Sequence, residues 1–254
     1  MLNRVIIMSA VVGAIAAGLQ ATGAVDLKAV PKELGLAGSG PRNIIVAVDI
    51  TAGREEELPK DFEAVQTLVG KARPGDKIEV FLIHSRAESE QEAIFAVEMP
   101  DDEGPMGMAF ARAQKSAEQS LKESWDKSVK ADLGDHDLVQ RTDLFGFFRF
   151  VSQRAEFRKS KKPILIILTD GQEVGDGFNF ERTIPADHDL KRAKEAELMP
   201  DLSGVNVTIA GMTPTHNITN LHWRKLESWW KKYFDEAGAK VTAISSDRSI
   251  LTSI

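Results

Sequence analysis

Residues 163–171 read Pro-Ile-Leu-Ile-Ile-Leu-Thr-Asp-Gly: five aliphatic side chains in a row, closed by a hydroxyl, a carboxylate and a glycine. Side chains alternate faces along a strand, so a run that is apolar at every position needs cover on both sides. That cover exists in the middle of a mainly parallel sheet with helices on each face. Asn43 to Asp49 (NIIVAVD) has the same character and also ends on a carboxylate. Lys77 to Ile83 (KIEVFLI), Ala93 to Glu98 (AIFAVE), Gly204 to Met212 (GVNVTIAGM) and Lys240 to Ile244 supply four more strands. Too few residues separate the second and third strands for a helical crossover, so these two are expected to pair antiparallel.

Helical spacing fills the intervals. Phe62, Val65, Leu68 and Val69 mark one face of a helix over Leu58–Ala72, which Arg73-Pro74-Gly75-Asp76 stops. Phe110, Ala113, Ala117, Leu121 and Trp125 mark a long helix that begins after a Pro/Gly/Asp loop at 99–105. A helix is expected from Thr142 to Phe157, a short charged one near 189–199, and one from Leu221 to Ala237 carrying Trp223, Leu226, Trp229, Trp230, Tyr233 and Phe234. Gly238 ends the last of these. The order of elements specifies an α/β fold: a doubly wound, mainly parallel six-stranded sheet with one antiparallel edge strand and helices on both faces. No composition break or internal repeat interrupts residues 40–245, which reads as one domain.

Composition narrows the chemistry. The 254 residues are 43% hydrophobic and 28% charged, a globular balance, and the net charge of −6 argues against general binding of nucleic acid. Absence of cysteine excludes disulfides, thiolate metal sites and cysteine nucleophiles. There is no G-x-S-x-G elbow and no Walker sequence. Gly35-x-x-Gly38-x-Gly40 precedes a strand instead of following one, so it reads as linker. The two Asp-His-Asp-Leu stretches around His136 and His188 read as helix starts, and His216 and His222 lack a nearby third ligand for zinc. The basic run Arg158-Lys159-Ser160-Lys161-Lys162 suits the C-terminal end of a helix dipole.

In a doubly wound sheet, ligands bind beyond the carboxyl ends of the strands, where the strand order changes direction. The first strand ends Asp49-Ile50-Thr51-Ala52-Gly53, the fourth ends Thr169-Asp170-Gly171, and Arg141-Thr142-Asp143 opens the helix before the fourth. Asp49, Thr51, Thr142 and Asp170 thus bring two carboxylates and two hydroxyls to one rim. Hard oxygens with few charges and room for water suit Mg²⁺. Local roles compete with this one: Asp49 and Asp170 as loop caps, Thr142 as a helix N-cap.

These residues, in this order, resemble the metal-ion-dependent adhesion site of the von Willebrand factor A family, whose pattern is Asp-x-Ser-x-Ser, a distant Thr, and an Asp at the end of the fourth strand. Asp49 matches the first Asp, Thr51 the first Ser, Thr142 the Thr and Asp170 the last Asp. The resemblance covers roughly residues 40–245 and is strongest toward exported bacterial members with a Trp-rich final helix, here WRKLESWWKKYFDEAGAKV. It implies a protein-binding module that holds Mg²⁺ (or Mn²⁺ or Ca²⁺) and completes the ion's coordination with an acidic group of a partner protein. Gly53 departs from the pattern, standing where the family has its second Ser. Water, or an acidic oxygen from Gly171-Gln172-Glu173-Val174-Gly175-Asp176, is the expected substitute. A metal-free interaction scaffold of the same fold is the alternative reading. A Mg²⁺-dependent hydrolase is a weaker one, lacking an evident nucleophile, base or phosphate cradle.

The N-terminus reads as an address. Arg4, the uncharged run Val5–Leu19 and the small-residue exit Gln20–Ala24 form a signal peptide over 1–24, followed by a linker over 25–39 and the domain over 40–254. Export to the periplasm or medium is expected, with membrane contact only if the segment stays uncleaved as an anchor, since Val5–Ala24 is about long enough to span a bilayer. Intact-mass analysis of the exported protein should give a chain beginning at Val25. A full-length cytosolic product would refute the leader, and a full-length membrane-bound product would select the anchor.

Overall fold

The computed structural model describes residues 40–89, 91–101, 107–213 and 219–254. The expected signal peptide, the linker, His216 and part of the loop at 99–105 lie outside them. Residues 41–254 make one unit, with strands β1 (Asn43–Asp49), β2 (Lys77–Ile83), β3 (Phe95–Glu98), β4 (Pro163–Leu168), β5 (Val174–Gly175), β6 (Phe178–Asn179), β7 (Asn206–Ala210) and β8 (Lys240–Ser245). The helices are α1 (Leu58–Gly70), α2 (Met108–Leu133), α3 (His136–Val139), α4 (Leu144–Gln153), α5 (Ala155–Arg158), α6 (Asp187–Glu195) and α7 (Asn220–Glu236), with a final 3₁₀ turn at Arg248–Ser253.

Six strands form one sheet in the order β3-β2-β1-β4-β7-β8. All neighbours are parallel except β2 and β3, the antiparallel edge the short connection requires. The chain leaves β1 toward β2 and β4 toward β7, so the strand order reverses between β1 and β4. Their register pairs Val48 with Leu168, which sets Asp49 beside the Thr169-Asp170 pair at a single rim.

Alternation along the strands divides the core in two. Ile45, Ala47, Leu165 and Ile167 face α4 and the aromatic side of α7. Ile44, Val46, Ile166 and Leu168 face α1 and α2. On the first side Phe145, Phe148, Trp229, Trp230, Tyr233 and Phe234 are packed ring to ring, mostly edge-on or tilted, as the quadrupoles of aromatic rings prefer.

Three segments differ from the sequence reading. The helix expected over Thr142–Phe157 is two, α4 and α5, because Arg154 leaves helical geometry (ψ 88°). The break lets Arg154 reach Glu79 on β2 at 2.5 Å and lie over the rings of Phe81 and Phe150, while Phe157 turns back into the core. The charged helix lies at Asp187–Glu195, earlier than expected, and stops where Glu197 takes a positive φ of 57°, directing Leu198 and Leu202 inward. The polar stretch after β4 contains a hairpin, β5-β6, turned at Asp176-Gly177 with both φ positive (48° and 83°). An Asp-Gly pair at that position is a strong short-range hairpin signal. Both Asp-His-Asp-Leu stretches are helix starts: Asp135 accepts from Asp137 N at 3.0 Å, and Asp189 reaches back to Ala186 N at 2.9 Å.

Ile166 and Ile167 are both fully buried, on opposite faces of β4. An unpaired charge at either site costs several kcal/mol against a total stability of ~5–15 kcal/mol. Ile166→Asp and Ile167→Asp should each abolish soluble expression. A soluble, cooperatively melting variant would show that its face of the strand is not core.

Candidate functional site

The rim is built on Asp49, which has no solvent exposure. Its Oδ1 accepts from Thr51 N at 3.0 Å and from Thr51 Oγ1 at 2.6 Å, which fixes the loop after β1. Its Oδ2 accepts from Thr169 Oγ1 at 2.7 Å, tying the ends of β1 and β4 together, and Thr169 Oγ1 in turn accepts from Gly171 N at 3.0 Å.

Thr142 joins this set through its hydroxyl, 2.7 Å from that of Thr51. The single proton of Thr51 is directed to Asp49, so Thr142 is the donor of the pair. Its lone pairs are then left for the cleft. The N-cap of α4 is Asp143, whose carboxylate accepts from Gly146 N at 2.7 Å, and Thr142 is thereby released from the capping role open to it in the sequence.

Asp170 stands across the cleft, its Oδ1 accepting from Gln172 N at 3.0 Å and its Oδ2 from Gln172 Nε2 at 2.9 Å. Its carboxyl is pushed up to about 6 by burial and then by the nearby charge of Asp49, against which Arg54 and the Gln172 N–H act. The cleft holds about 300 Å³ and is lined by Thr51, Gly53, Gln140, Thr142, Asp170, Gln172 and Glu181, among others.

The four sequence-chosen residues therefore share one rim. Asp49 and Asp170 do serve their loops as caps; Oδ1 of Asp49 is filled by its two bonds from Thr51, while Oδ2 of Asp49 and both oxygens of Asp170 accept one bond each and keep a further lone pair. Neither acid of the loop after Asp170, Glu173 or Asp176, lines the cleft. Glu173 turns away, its Oε2 accepting from Leu144 N at 2.7 Å and Phe145 N at 3.3 Å at the start of α4. Glu181, from beyond the hairpin, lines the cleft instead. A Cβ at Gly53 would meet open space, but the φ of +91° strains any side chain placed there.

Sequence reasoning missed Thr169 and Arg54. The signal for Thr169 was its place beside Asp170 on the strand paired with β1. Arg54, directly after the Asp49-to-Gly53 loop, folds beneath the rim with its side chain 4% exposed. Its Nε donates to the Asp49 carbonyl at 3.1 Å and lies 3.9 Å from Asp49 Oδ2, while Nη2 donates to Asp61 Oδ2 at 2.7 Å. Asp61 is held from its other side by Arg248 Nε at 2.5 Å.

The donor chemistry fits a hard divalent cation. Two hydroxyl oxygens stand side by side and two carboxylates crowd each other electrostatically, a conflict that a cation relieves. Among the described residues no three His, Asp or Glu side chains converge as a ligand set. The hydroxyls of Thr51 and Thr142 make up half of the donors here.

No protein-family model and no curated protein matches the sequence. The solved structures to which the fold is similar include von Willebrand factor A proteins. One is a von Willebrand factor type A protein from Catenulispora acidiphila, at 12% identity and a TM-score of 0.45, covering 84% of this chain and 41% of that one. Another is the ArnB paralog VWA2 from Sulfolobus acidocaldarius, at 13% identity and a TM-score of 0.43, covering 84% and 44%. A third is proximal thread matrix protein 1 of the mussel byssus with a zinc-occupied MIDAS motif, at 12% identity and a TM-score of 0.38, covering 85% and 44%. The chain spans less than half the length of each.

Glu173 gives this region a pH signature. Burial first, then the charge of Asp143, hold its carboxyl well above the ordinary 4.5, with the N–H groups of Leu144 and Phe145 pulling the other way. Above pH 4.5 the unfolded chain has released this proton while the folded protein retains it, so stability falls as pH rises toward the folded value. Glu173→Gln should match the parent in melting temperature below about pH 4.5 and exceed it increasingly at higher pH. A constant difference across pH 4–8 would show that Glu173 ionises normally.

Proposed function

We propose that this protein is a binding module that engages a partner protein at the rim formed by the ends of β1 and β4, through a divalent cation of the Mg²⁺ type. The observation that carries the reading is the Thr51–Thr142 hydroxyl pair, 2.7 Å apart above buried Asp49, with Asp170 across the cleft. The Asp-x-Thr, Thr and Asp pattern seen in the sequence supports it.

Thr51 and Thr142 would hold the ion through their hydroxyl oxygens, with Asp49 and Asp170 as its charged partners. Mg²⁺ retains waters readily, and a retained water takes the place of the hydroxyl that Gly53 lacks. An ion held largely by neutral oxygens stays electrophilic and supplies an attachment point for a carboxylate. The chain's own residues orient that point. Asp49 fixes the Thr51 hydroxyl, the Asp143 cap frees Thr142, and Gln172 fixes the Asp170 carboxylate. Export of the domain belongs to the same reading.

A metal-free interaction scaffold is the second reading. The buried Arg54 favours it, because it already places a cation beside Asp49.

Mg²⁺ or Mn²⁺ at millimolar concentration should raise the melting temperature, since a ligand of the folded state stabilises by mass action. EDTA should reverse the shift. Thr142→Ala and Asp170→Asn should remove it while leaving a cooperatively folded protein, and no phosphatase turnover should accompany it. If calorimetry detects no divalent-ion binding to the parent protein at millimolar concentration, the metal-dependent reading fails and the scaffold reading replaces it.

A further inference from the structure

Arg54 is a buried guanidinium with carboxylates on two sides. It donates to Asp61 at 2.7 Å and to the Asp49 carbonyl at 3.1 Å, and lies 3.9 Å from the Asp49 carboxylate. Asp61 has a second partner in Arg248, which reaches it at 2.5 Å from the C-terminal 3₁₀ turn and is itself shared with Glu57 at 2.9 Å. The charge of Arg54 is divided between Asp61 and Asp49. Asp49, Asp61 and Asp170, with Glu57 on Arg248 and Glu181 in the cleft, outnumber Arg54 and Arg248, so the rim is net negative and loss of Arg54 makes it more so by one charge.

We propose that Arg54 is a resident counter-ion that sets the rim's affinity for divalent cations, holding it well below what its oxygen donors alone would give. The inference relies on the proposed metal site only for the identity of the ligand. A guanidinium cannot shed its charge, so it opposes a second cation at every pH, and in a water-poor setting the repulsion is weakly screened. It also answers a structural need: Asp49 has a cationic neighbour inside the protein whether or not a metal is bound. The rim is then assembled before any ion arrives, and the ion binds loosely and reversibly.

The experiment is calorimetric titration of the purified protein with MgCl₂ and MnCl₂, together with melting curves in each salt and in NaCl of matched ionic strength. Arg54→Met keeps the length and apolar stem, Arg54→Gln keeps a donor, and Arg54→Lys keeps the charge. The neutral variants should bind Mg²⁺ at least about tenfold more tightly than the parent, with a larger melting shift, while Arg54→Lys stays near the parent. A role in packing alone would not produce that split. Tight binding by the neutral variants with none by the parent would sink the metal-dependent function yet uphold the role of Arg54. Neutral variants that bind no more tightly than the parent, or not at all, overturn the inference. If they fold only with help, recovery by Mg²⁺ but not by matched NaCl supports it, and failure of Mg²⁺ to recover them overturns it.

Discussion

A negative charge without solvent exposure governs the carboxyl-terminal rim of this sheet. Asp49 closes β1, the strand at the point where the chain order reverses, and its carboxylate must be satisfied from inside the protein. An isolated buried carboxylate costs several kcal/mol after relaxation. Here the main chain and hydroxyl of Thr51, the hydroxyl of Thr169 and the guanidinium of Arg54 share that task. Each partner comes from a segment whose path is thereby fixed: the loop after β1, the end of β4 and the turn into α1. Thr142 is added through Thr51, so the helix before β4 is registered to the same charge.

The aromatic layer beneath holds the rim from the other direction. Trp230 Nε1 donates to the Gly171 carbonyl at 2.8 Å, next to Asp170, and Trp223 Nε1 donates to the Met212 carbonyl at 2.8 Å at the end of β7. Tyr233 donates to the Leu198 carbonyl at 2.7 Å. An indole or phenol in a core needs an acceptor for its proton, and loop carbonyls need donors. The Trp-rich helix therefore serves two ends: its rings fill one face of the sheet, and its polar tips pin three loops. Gly171 takes φ +82° with the Trp230 Nε1 and Met212 Cε atoms 3.2 Å from where a Cβ would stand, so both space and backbone call for glycine there.

The sheet was legible because its signal is simple. Runs such as 163–168 and 44–48 are apolar at every position, and the short interval between β2 and β3 admits only an antiparallel pair. Thr51, Thr142 and Asp170 were legible for a related reason: strand ends at a switch point converge whatever the loops do in detail. What escaped was set by contacts between segments far apart in sequence. The helix break at Arg154 depends on Glu79 and Phe81 of β2, and the inward turn of Glu173 depends on free N–H groups at the start of α4. No local propensity carries that information. Asp176-Gly177 is the exception, a hairpin signal present in the sequence and passed over. Arg54 reads locally as an ordinary surface charge, and only the fold shows that Asp49 and Asp61 draw it inside.

The rim separates what orders it from what lines the cleft: Asp49 is fully buried, while Thr51, Thr142 and Asp170 line the cleft. A ligand set used only for an ion would gain all its order from that ion, and losing one donor would weaken order and binding together. Here order comes from the protein: Asp49 is held by Thr51, Thr169 and Arg54, and Asp170 by Gln172. Gly53 stands outside those contacts, its N–H donating to the Glu55 carboxylate at 3.0 Å. The φ of +91° at Gly53 is one that glycine adopts without strain. The order of this rim thus rests on buried pairing around Asp49, and that pairing leaves the hydroxyls of Thr51 and Thr142 at the cleft.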